Sequence, residues 1–456
     1  MITMLCCLIA ASLLQAPPPP AFSGGPEIPG RPGVLVYSRT AGYRHDSIED
    51  GGQLVQSLGE GRWRVVLTED PSVFTPEGLE DFDVVVLMHT TGDVLDDAAE
   101  AAMEQYLRKG GGLVGIHAAA DSERDWAFFG GEVLGGAWFQ SHPAIQEATI
   151  VVEDRHHPST AHLEGAWSRT DEWYNYVQSP RSDVHVIASL DESSYEGGTM
   201  GEDHPIAWSV PVGKGAAFYT GLGHTIESYA EPAFQRHIQG GIEWAMNDGW
   251  ISLEDDWKHR DGWRSVGDAA ADGRELKVEP GGGMLVNGER GHAGDLVTGG
   301  EFGDCELHVE FMIPEGSNSG VYLHGRYEVQ ILDSFGKRDP GPGDCGGIYE
   351  RWDDSRSPSG FEGVSPKVNA AKKPGQWQAY DIVFRAPRFD AEGNKIRNAV
   401  FESVRHNGVL IHENVELSGP TRGGWGAEAV EGPVRFQGDH GPVAYRDVRI
   451  RRMASP

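Results

Sequence analysis

The sequence predicts two domains of different class, an α/β domain followed by an all-β domain. From Val34 to about Asp248, short β-branched runs alternate with helical stretches, a pattern typical of a mostly parallel sheet covered on both faces. From about Trp250 onward the helical periodicity disappears, and strands of alternating apolar and polar residues are separated by turns rich in Gly, Pro, Asn and Asp. This second pattern predicts an antiparallel sandwich, most simply a jelly roll.

In the α/β domain the apolar runs and the helix stop signals define the elements. The predicted strands are Val34–Tyr37, Arg64–Leu67, Val84–Met88, Leu113–His117, His185–Ser189 and Ala216–Thr220. The predicted helices are Asp96–Lys109, which Gly110–Gly112 ends, and Pro232–Asn247.

The N-terminus predicts export. The apolar run within Met1–Ala16 is too short for a membrane span and is followed by Pro17–Pro20, so we expect a secretory signal peptide. The protein would then be periplasmic or extracellular, with no integral membrane segment in the mature chain. The predicted boundaries are 1–21 for the signal peptide, 22–32 for a Pro/Gly-rich linker, 33–249 for the α/β domain and 250–453 for the sandwich.

Charge and composition exclude several partners. With 38 Lys and Arg against 69 Asp and Glu, the net charge of −31 repels phosphate backbones, so we expect no nucleic-acid partner. The glycine runs Gly110–Gly112 and Gly281–Gly283 lack the spacing of a dinucleotide fingerprint, so we expect no nucleotide cofactor.

Beyond the predicted signal peptide, Cys305 and Cys345 allow either one disulfide or two free thiols.

Histidines follow four predicted strands of the α/β domain, where open parallel sheets bind ligands. We predict a shared polar cleft, with the alternative that each histidine is a hydrogen-bonded structural residue. Imidazole and carboxylate together suit a divalent metal ion, although the linear spacing matches no compact metal motif. The candidate residues of this site are His45, Asp46, His89, His117, His142, Glu172 and His224.

Four separated segments of this domain carry a family resemblance: RHDSI (44–48), GGGLVGIHA (110–118), RTDEWY (169–174) and GLGHT (221–225). Together they resemble the trehalose-utilisation (ThuA-like) family over about residues 33–248. The resemblance implies a class I glutamine-amidotransferase-like (flavodoxin-like) fold and a part in disaccharide metabolism. His117 stands where amidotransferases carry their cysteine nucleophile, and no cysteine lies between Cys7 and Cys305, which excludes cysteine-dependent amide hydrolysis here.

In the second domain we predict one strand over Val321–Asp333, and the stretch from Val321 to Ser334 alternates core-facing apolar residues with a line of polar residues. The other predicted strands are Glu306–Ile313, Trp377–Phe384, Ala399–His406 and Val434–Phe436. Because strand side chains alternate between faces, we predict one line on one face: Tyr322, His324, Arg326, Glu328 and Gln330. The alternatives are a solvated face, or a sugar site completed by Asp333, Gln437, Asp439 and His440.

A second resemblance covers about residues 251–452. The segments that carry it are NSGVYL (318–323), RYEVQILDS (326–334), VNA (368–370), KPGQWQ (373–378), DIVF (381–384), HNGVL (406–410) and NVEL (414–417). They resemble the 3-keto-disaccharide hydrolase family, which implies a concanavalin-like sandwich and glycosides whose glucose C3 hydroxyl is oxidised to a ketone. Asn369 joins the candidate substrate-binding residues, while His324 departs from the arginine expected before the glycine.

A C3 ketone acidifies the C2 proton, so one base and one positive group are enough to eliminate the C1 substituent. The base candidates are Glu328, Asp333 and His440, in that order, and Arg326 can supply the charge; a divalent ion is the alternative. Glu328 has a second interpretation, as a hydroxyl-binding residue or an ion-pair partner of Arg326.

We therefore predict an enzyme that cleaves 3-keto-glycosides in its second domain. The first domain is expected to act on or bind the same oxidised sugars, and a separate sugar 3-dehydrogenase is expected to supply the ketone. The competing hypothesis is a non-catalytic carbohydrate-binding sandwich attached to a histidine-lined, metal-binding α/β domain that processes the sugar.

Overall fold

A computed structural model describes residues 31–254 and 256–453 of the chain. The predicted signal peptide, and the linker as far as residue 30, lie outside these residues. We call residues 33–249 the α/β region and residues 250–453 the β region. In the described part of the chain, no helix has the length and apolar character needed to cross a membrane.

The α/β region has eleven described strands and four described α-helices. The strands are β1 (Gly33–Tyr37), β2 (Arg64–Thr68), β3 (Val84–Met88), β4 (Gly112–Ile116), β5 (Phe139–Ser141), β6 (Gln146–Val152), β7 (Ala166–Asp171), β8 (Asn175–Tyr176), β9 (His185–Asp191), β10 (Pro205–Val212) and β11 (Gly215–Thr220). The helices are α1 (Ile48–Gly59), α2 (Pro76–Leu79), α3 (Asp97–Lys109) and α4 (Pro232–Met246). Short 3₁₀ helices occur at Pro71–Val73, His117–Asp121, Glu192–Ser194 and Ile226–Ala230, and one π-helical turn occurs at Phe129–Val133.

The residues at the two ends of helix α3 explain where this helix begins and ends. The Asp96 side chain accepts hydrogen bonds from the N–H groups of Ala98 and Ala99, which caps the first turn. Gly110, with φ at +125°, ends the helix because residues with a Cβ rarely adopt this backbone conformation.

One nine-stranded sheet organises the α/β region, in the order β2-β1-β3-β4-β11-β10-β9-β6-β7. The first five strands in this order run parallel to one another, and the last four pair antiparallel. The prediction of a mixed α/β fold is therefore confirmed. The parallel part places the carboxyl ends of β1, β3, β4 and β11 side by side.

The β region contains no α-helix among its described residues and is built from antiparallel strands. They are β12 (Trp250–Ser252), β13 (Trp257–His259), β14 (Arg264–Asp272), β15 (Glu275–Val286), β16 (Leu296–Thr298), β17 (Cys305–Met312), β18 (Asn318–Leu323), β19 (Tyr327–Leu332), β20 (Arg351–Trp352), β21 (Gly360–Phe361), β22 (Gln378–Arg385), β23 (Arg388–Phe389), β24 (Lys395–Arg397), β25 (Ala399–His406), β26 (Val409–Leu417), β27 (Arg435–Phe436) and β28 (Ala444–Arg452).

Two sheets of the β region face each other. The larger has the order β14-β15-β28-β17-β22-β25-β26, with β12 paired to β28, and the smaller has the order β13-β16-β27-β18-β19. Phe436 of the smaller sheet packs on Tyr445 of the larger, with ring centroids 4.7 Å apart, and Tyr327 packs on Phe384 at 5.4 Å. The all-β class is confirmed, while the jelly-roll connection stays a prediction.

Two expectations about local structure need correction. The stretch from Val321 to Asp333 is not one strand, because β18 ends at Leu323 and a turn at residues 324–326 leads into β19. The fourth predicted strand of the α/β region ends at Ile116, and His117 begins a 3₁₀ helix. Of the two possibilities for Cys305 and Cys345, the structure has two free, buried thiols.

Candidate functional site

Four histidines lie at the carboxyl ends of four adjacent parallel strands. His89 follows β3 and His117 follows β4 directly, and both have positive φ, at 54° and 47°. This left-handed conformation is uncommon outside glycine and concentrates at functional sites. His45 lies in the loop after β1, and His224 lies in the loop after β11. The predicted convergence of strand ends is therefore seen in the structure.

Three of these histidines and one carboxylate form a compact group, which we call the histidine cluster: His45, His117, Glu172 and His224. One ligand-type atom from each residue lies within 4.8 Å of the others. Nε2 of His117 lies 3.3 Å from Oε2 of Glu172 and 3.2 Å from Nδ1 of His224, and Nδ1 of His224 lies 3.2 Å from Oε2 of Glu172.

Glu172 reaches the cluster because the chain after β7 crosses back over the strand ends. The neighbouring Asp171 carboxylate accepts the backbone N–H groups of Gly223 and His224 at 2.8 and 3.0 Å. Buried Arg169 holds this carboxylate at 3.1 Å and also pairs with Glu231 at 3.0 Å. These contacts fix the segment that carries Glu172 and also the backbone of His224.

The other predicted residues of this site surround the cluster. Nδ1 of His142 lies 2.9 Å from Oε1 of Glu172, and the His142 side chain is 44% exposed, so the cluster is reached from solvent on this side. His89 is buried, stacks on His45 with ring centroids 4.8 Å apart, and shares a hydrogen bond of 2.7 Å between its Nε2 and the Tyr229 hydroxyl. Asp46 is exposed, and its negative charge acts on His224.

Burial and mutual charge set the protonation of the cluster. Burial, followed by the nearby His117 and His224, lowers the pKa of His45 to about 3. Burial alone would raise the pKa of Glu172, yet the adjacent imidazoles of His117 and His224 hold it well below its usual value. Burial opposes charge on His224 too, but the Glu172 carboxylate raises the pKa of that imidazole above its ordinary value.

The β region has a second polar site, on the face of the smaller sheet that points away from the core. Tyr322 lies directly opposite Glu328 in the β18–β19 hairpin and directly opposite Arg435 of β27. Gln330 lies opposite Gly320 in the same hairpin. We call the side chains of Tyr322, Glu328, Gln330 and Arg435 the hairpin face.

Glu328 is the most unusual group of this face. Its side chain is almost fully enclosed, at 1% exposure, and its carboxylate lies directly over Gly320, where a Cβ would collide with Oε1. Burial raises the pKa of Glu328 to about 8, although a hydrogen bond with Tyr322 and the charge of Arg435 oppose the shift. The Arg435 guanidinium lies 3.9 Å over the Tyr322 ring and pairs with Asp295 at 3.0 Å.

Several buried polar atoms in this area have no hydrogen-bond partner among the described residues. They are Oδ1 of Asn318, Oε2 of Glu328, Oε1 of Gln330 and Nε of Arg435. Asn318 has the same strand parity as Tyr322, so it lies on the same face. Buried acceptors without donors are costly, and a ligand with several hydroxyl groups would satisfy them.

The predicted polar line is wrong at two of its five positions. His324 has φ at 54° and belongs to the turn, so its ring packs on the core residue Phe384 with centroids 4.9 Å apart. The Arg326 guanidinium donates to the carbonyls of Ala427 and His324 at 2.7 Å and forms no ion pair with Glu328 among the described contacts. The strand alternation predicted for both residues fails because the strand is interrupted there.

The remaining candidates of the β region are held elsewhere in the loops. Asp333 accepts the N–H of Gly316, and the Asn369 amide donates to backbone carbonyls of the neighbouring loop. His440 and Asp439 pair with each other at an exposed position. The backbone N–H of Gln437 donates to Gly320 at 2.9 Å, which places Gln437 beside the hairpin face. No hydrogen bond or ion pair within the described chain links Asp333, Asn369 or His440 to Glu328.

The sequence-based prediction missed Arg435 of the hairpin face and two residues near this face, Asp295 and Trp425. Trp425 is 39% exposed, and the Arg435 guanidinium lies 5.2 Å from its ring. Arg435 was detectable, because it precedes the core residue Phe436 in a predicted strand and must point the other way. Asp295 and Trp425 lie in loops far away in sequence and gave no periodic signal.

Comparison with known protein families agrees with this division. Residues 33–245 match the family model described as trehalose utilisation (ThuA), and residues 249–451 match the 3-keto-alpha-glucoside-1,2-lyase-like domain. The chain joins a ThuA domain to a 3-keto-alpha-glucoside-1,2-lyase-like domain. Both family descriptions concern carbohydrates, which suggests a carbohydrate-related activity. We refer below to the ThuA domain (the α/β region) and the lyase-like domain (the β region).

Solved structures resemble each half separately. A protein designated ThuA-like from Bacteroides uniformis is 24% identical, covers 51% of this chain and 96% of its own length, and has a TM-score of 0.42. A protein designated a glycosyl hydrolase from Parabacteroides distasonis is 30% identical, covers 45% of this chain and 84% of its own length, and has a TM-score of 0.33. No curated protein matches the chain.

Proposed function

We propose that the lyase-like domain cleaves the glycosidic bond of glycosides whose glucose C3 hydroxyl has been oxidised to a ketone. The observation that carries this proposal is the Glu328 carboxyl, which is buried, has one oxygen without a partner and has its pKa raised to about 8. A carboxylate with such a pKa is a stronger base than an ordinary glutamate and still deprotonates near neutral pH.

The chemistry needs one base. Glu328 removes the C2 proton, and the electron pair of the C2–H bond forms an enolate with the C3 ketone. When the enolate returns to the ketone, a C1=C2 double bond forms and the C1–O bond breaks. The leaving alkoxide takes up a proton, and addition of water at C1 then completes a net hydrolysis. Ordinary glycoside hydrolysis instead needs two carboxylates flanking the bond.

The other residues of the hairpin face support this reaction. The positive charge of Arg435, next to Tyr322, is available to stabilise the developing enolate oxygen. The acceptor oxygens of Asn318 and Gln330 are free to accept hydrogen bonds from sugar hydroxyls. The exposed ring of Trp425 offers an apolar surface for the sugar ring. Arg435 therefore takes the electrostatic role that the sequence suggested for Arg326.

The proposal also includes the source of the substrate, the location of the protein and the role of the ThuA domain. The ketone must be made by a separate sugar 3-dehydrogenase, since the sequence has no nucleotide fingerprint of its own. The protein would work outside the cytoplasm, as the leader predicts. The ThuA domain would act on or bind the same oxidised sugars, and the fusion keeps both domains near one substrate pool.

The test uses the full chain with a chromogenic 3-keto-glucoside and its unoxidised counterpart. We expect cleavage of the keto substrate alone, and a primary isotope effect when C2 carries deuterium. Glu328→Gln should lower kcat/KM by at least about 1,000-fold, because the base is removed. Glu413→Gln, an exposed carboxylate of the other sheet paired with Lys367, is the matched control and should be neutral.

Two outcomes would contradict the proposed reaction, and a third would assign the base to another residue. Equal cleavage of both substrates without an isotope effect would show direct hydrolysis. Tight sugar binding without any turnover would favour the non-catalytic binding module. If Asp333→Asn, rather than Glu328→Gln, abolished turnover, the base would be Asp333.

A further inference from the structure

The histidine cluster has a geometry that hydrogen bonds alone do not satisfy. Three atoms, Nε2 of His117, Nδ1 of His224 and Oε2 of Glu172, form a nearly equilateral triangle with sides of 3.2, 3.2 and 3.3 Å. All three are potential lone-pair donors that point toward one another.

The tautomer of His117 is fixed by its other nitrogen. Nδ1 of His117 lies 2.7 Å from the carbonyl oxygen of Gly221, and a carbonyl can only accept, so Nδ1 carries the proton. In the neutral ring Nε2 is then a bare lone pair that faces the cluster. Holding the second imidazole nitrogen by a backbone carbonyl is the arrangement that orients metal-ligating histidines.

With Glu172 as a carboxylate, no placement of protons satisfies all three sides of the triangle. If Nδ1 of His224 donates to both neighbours, Nε2 of His117 and Oε2 of Glu172 face each other as two acceptors. If both imidazoles instead donate to Glu172, their two N–H groups face each other. If a protonated Nε2 of His117 donates to both neighbours, Nδ1 of His224 and Oε2 of Glu172 face each other as two acceptors. In each case one side of 3.2 or 3.3 Å remains repulsive, whereas a cation at the centre attracts all three atoms.

The dimensions match a bound transition metal. With metal–ligand distances of about 2.1 Å, neighbouring ligand atoms are about 3.0 Å apart in octahedral and about 3.4 Å apart in tetrahedral coordination. The three observed sides fall within this interval. His45 completes the set: it is 5% exposed, its Nδ1 has no partner among the described residues, and its ring lies 5.0 Å from that of His224.

We propose that His45, His117, His224 and Glu172 bind one divalent transition-metal ion in the ThuA domain. Three imidazoles and one carboxylate favour ions of the zinc, cobalt or manganese type over calcium and magnesium, which prefer oxygen ligands. His142 is a positioning residue, because it holds the second oxygen of Glu172 at 2.9 Å. The partly exposed His142 side leaves the ion accessible from solvent.

The test is metal binding by the full, untagged chain after treatment with a chelator. Titration with Zn²⁺, Co²⁺ and Mn²⁺ should give one equivalent bound, Co²⁺ should give visible absorption bands, and Mg²⁺ should not compete. His224→Ala and Glu172→Gln should each lower affinity at least about 100-fold. His224 is partly exposed, so its variant is expected to fold, and circular dichroism verifies this.

A matched control comes from the lyase-like domain. His308, Glu310 and Asp447 form another group of metal-type side chains, but His308 pairs with Asp381 at 2.6 Å and Asp447 pairs with Arg449 at 2.7 Å. His308→Ala should therefore leave metal binding unchanged. Absence of stoichiometric binding by the folded wild-type chain would overturn the proposal, as would undiminished binding by folded His224→Ala and Glu172→Gln.

Discussion

The two candidate sites are built in opposite ways. The histidine cluster gathers side chains from the ends of separate strands, where loops fix each residue by backbone contacts such as those of Asp171 with Gly223 and His224. The hairpin face arranges side chains along paired strands, where register alone places Tyr322 opposite Glu328. The first arrangement brings several lone pairs to one point, while the second holds a single buried carboxyl beside Tyr322 and near Arg435.

This difference implies a difference in chemistry. Converging imidazoles and a carboxylate can hold a cation, whereas a single carboxyl whose burial outweighs its polar contacts is a base with a raised pKa. If the two sites act independently, a change in the histidine cluster should alter metal affinity alone, and a change in the hairpin face should alter turnover alone.

After replacement of Glu328 itself, the largest effect is expected from displacing its carboxylate by a neighbouring substitution. Gly320→Ala would place a methyl group against Oε1 of Glu328 and displace the carboxylate. We expect a loss of about 100-fold or more in kcat on the keto substrate, because a displaced base no longer reaches the C2 proton. Steady-state kinetics would measure it, with Gly282→Ala as control, since a Cβ there meets open space.

The pH dependence of turnover should follow the Glu328 carboxylate. The groups that act on it are Tyr322, Arg435 and Asp295, and its pKa is raised to about 8. Because the base is the deprotonated form, kcat/KM should rise on the order of 50–100-fold from pH 6 to pH 9 and level off above pH 8. A profile that is flat over this interval would contradict the assignment.

The stability of the fold should also depend on the Glu328 carboxyl, but it should fall over the pH range in which kcat/KM rises. The folded state holds the proton more tightly than the unfolded chain, so stability is lost as pH rises from the ordinary glutamate pKa toward about 8. Glu328→Gln removes this loss, and its Tm should exceed that of the wild type by several degrees at pH 9 but not at pH 5. Thermal unfolding at the two pH values measures the difference.

At the histidine cluster, replacing a residue that positions a proposed metal ligand should have a smaller effect on metal affinity than replacing the ligand itself. Asp171→Asn weakens the ion pair with buried Arg169 and loosens the backbone of His224. We expect a loss of about 3 kcal/mol in stability, as for other broken buried ion pairs, and about a tenfold loss in metal affinity. The kcat on the keto substrate should stay unchanged, which sharpens the separation of the two sites.

The smallest effect is expected at the rim of the hairpin face. Trp425→Ala removes an exposed ring, so KM should rise about 5–10-fold while kcat changes little. Trp425→Phe should restore most of the affinity, because a smaller aromatic ring still covers a sugar ring. A fall in kcat without a change in KM would place Trp425 outside the sugar site.

The sequence predicted the ThuA site better than the lyase-like site, for a physical reason. Strand ends are marked by apolar runs followed by a polar residue, so His89, His117 and His224 could be placed together from local signals. Glu172 was also among the predicted residues of this site, but its contacts with His117 and His224 depend on the path of the chain after β7, for which the sequence has no local signal. Whether Cys305 and Cys345 form a disulfide or stay as free thiols could be decided only from the structure.

On the hairpin face, alternation placed Tyr322, Glu328 and Gln330 correctly although the predicted single strand is a hairpin. The turn has three residues, so positions 322 and 328 still face each other and share one side of the sheet. The same turn removed His324 and Arg326 from that side. Arg435 and Asp295 come from distant parts of the chain, and only the pairing of β27 with β18 brings Arg435 to Glu328.

We propose that glycoside cleavage depends on Glu328 and not on the histidine cluster. The most direct measurement compares kcat/KM on a 3-keto-glucoside for full-length Glu328→Gln and Glu172→Gln, each with and without chelator. We expect a loss of at least about 1,000-fold for Glu328→Gln and wild-type turnover for Glu172→Gln in both conditions. Retained cleavage in Glu328→Gln, with loss in Glu172→Gln or with chelator, would contradict it.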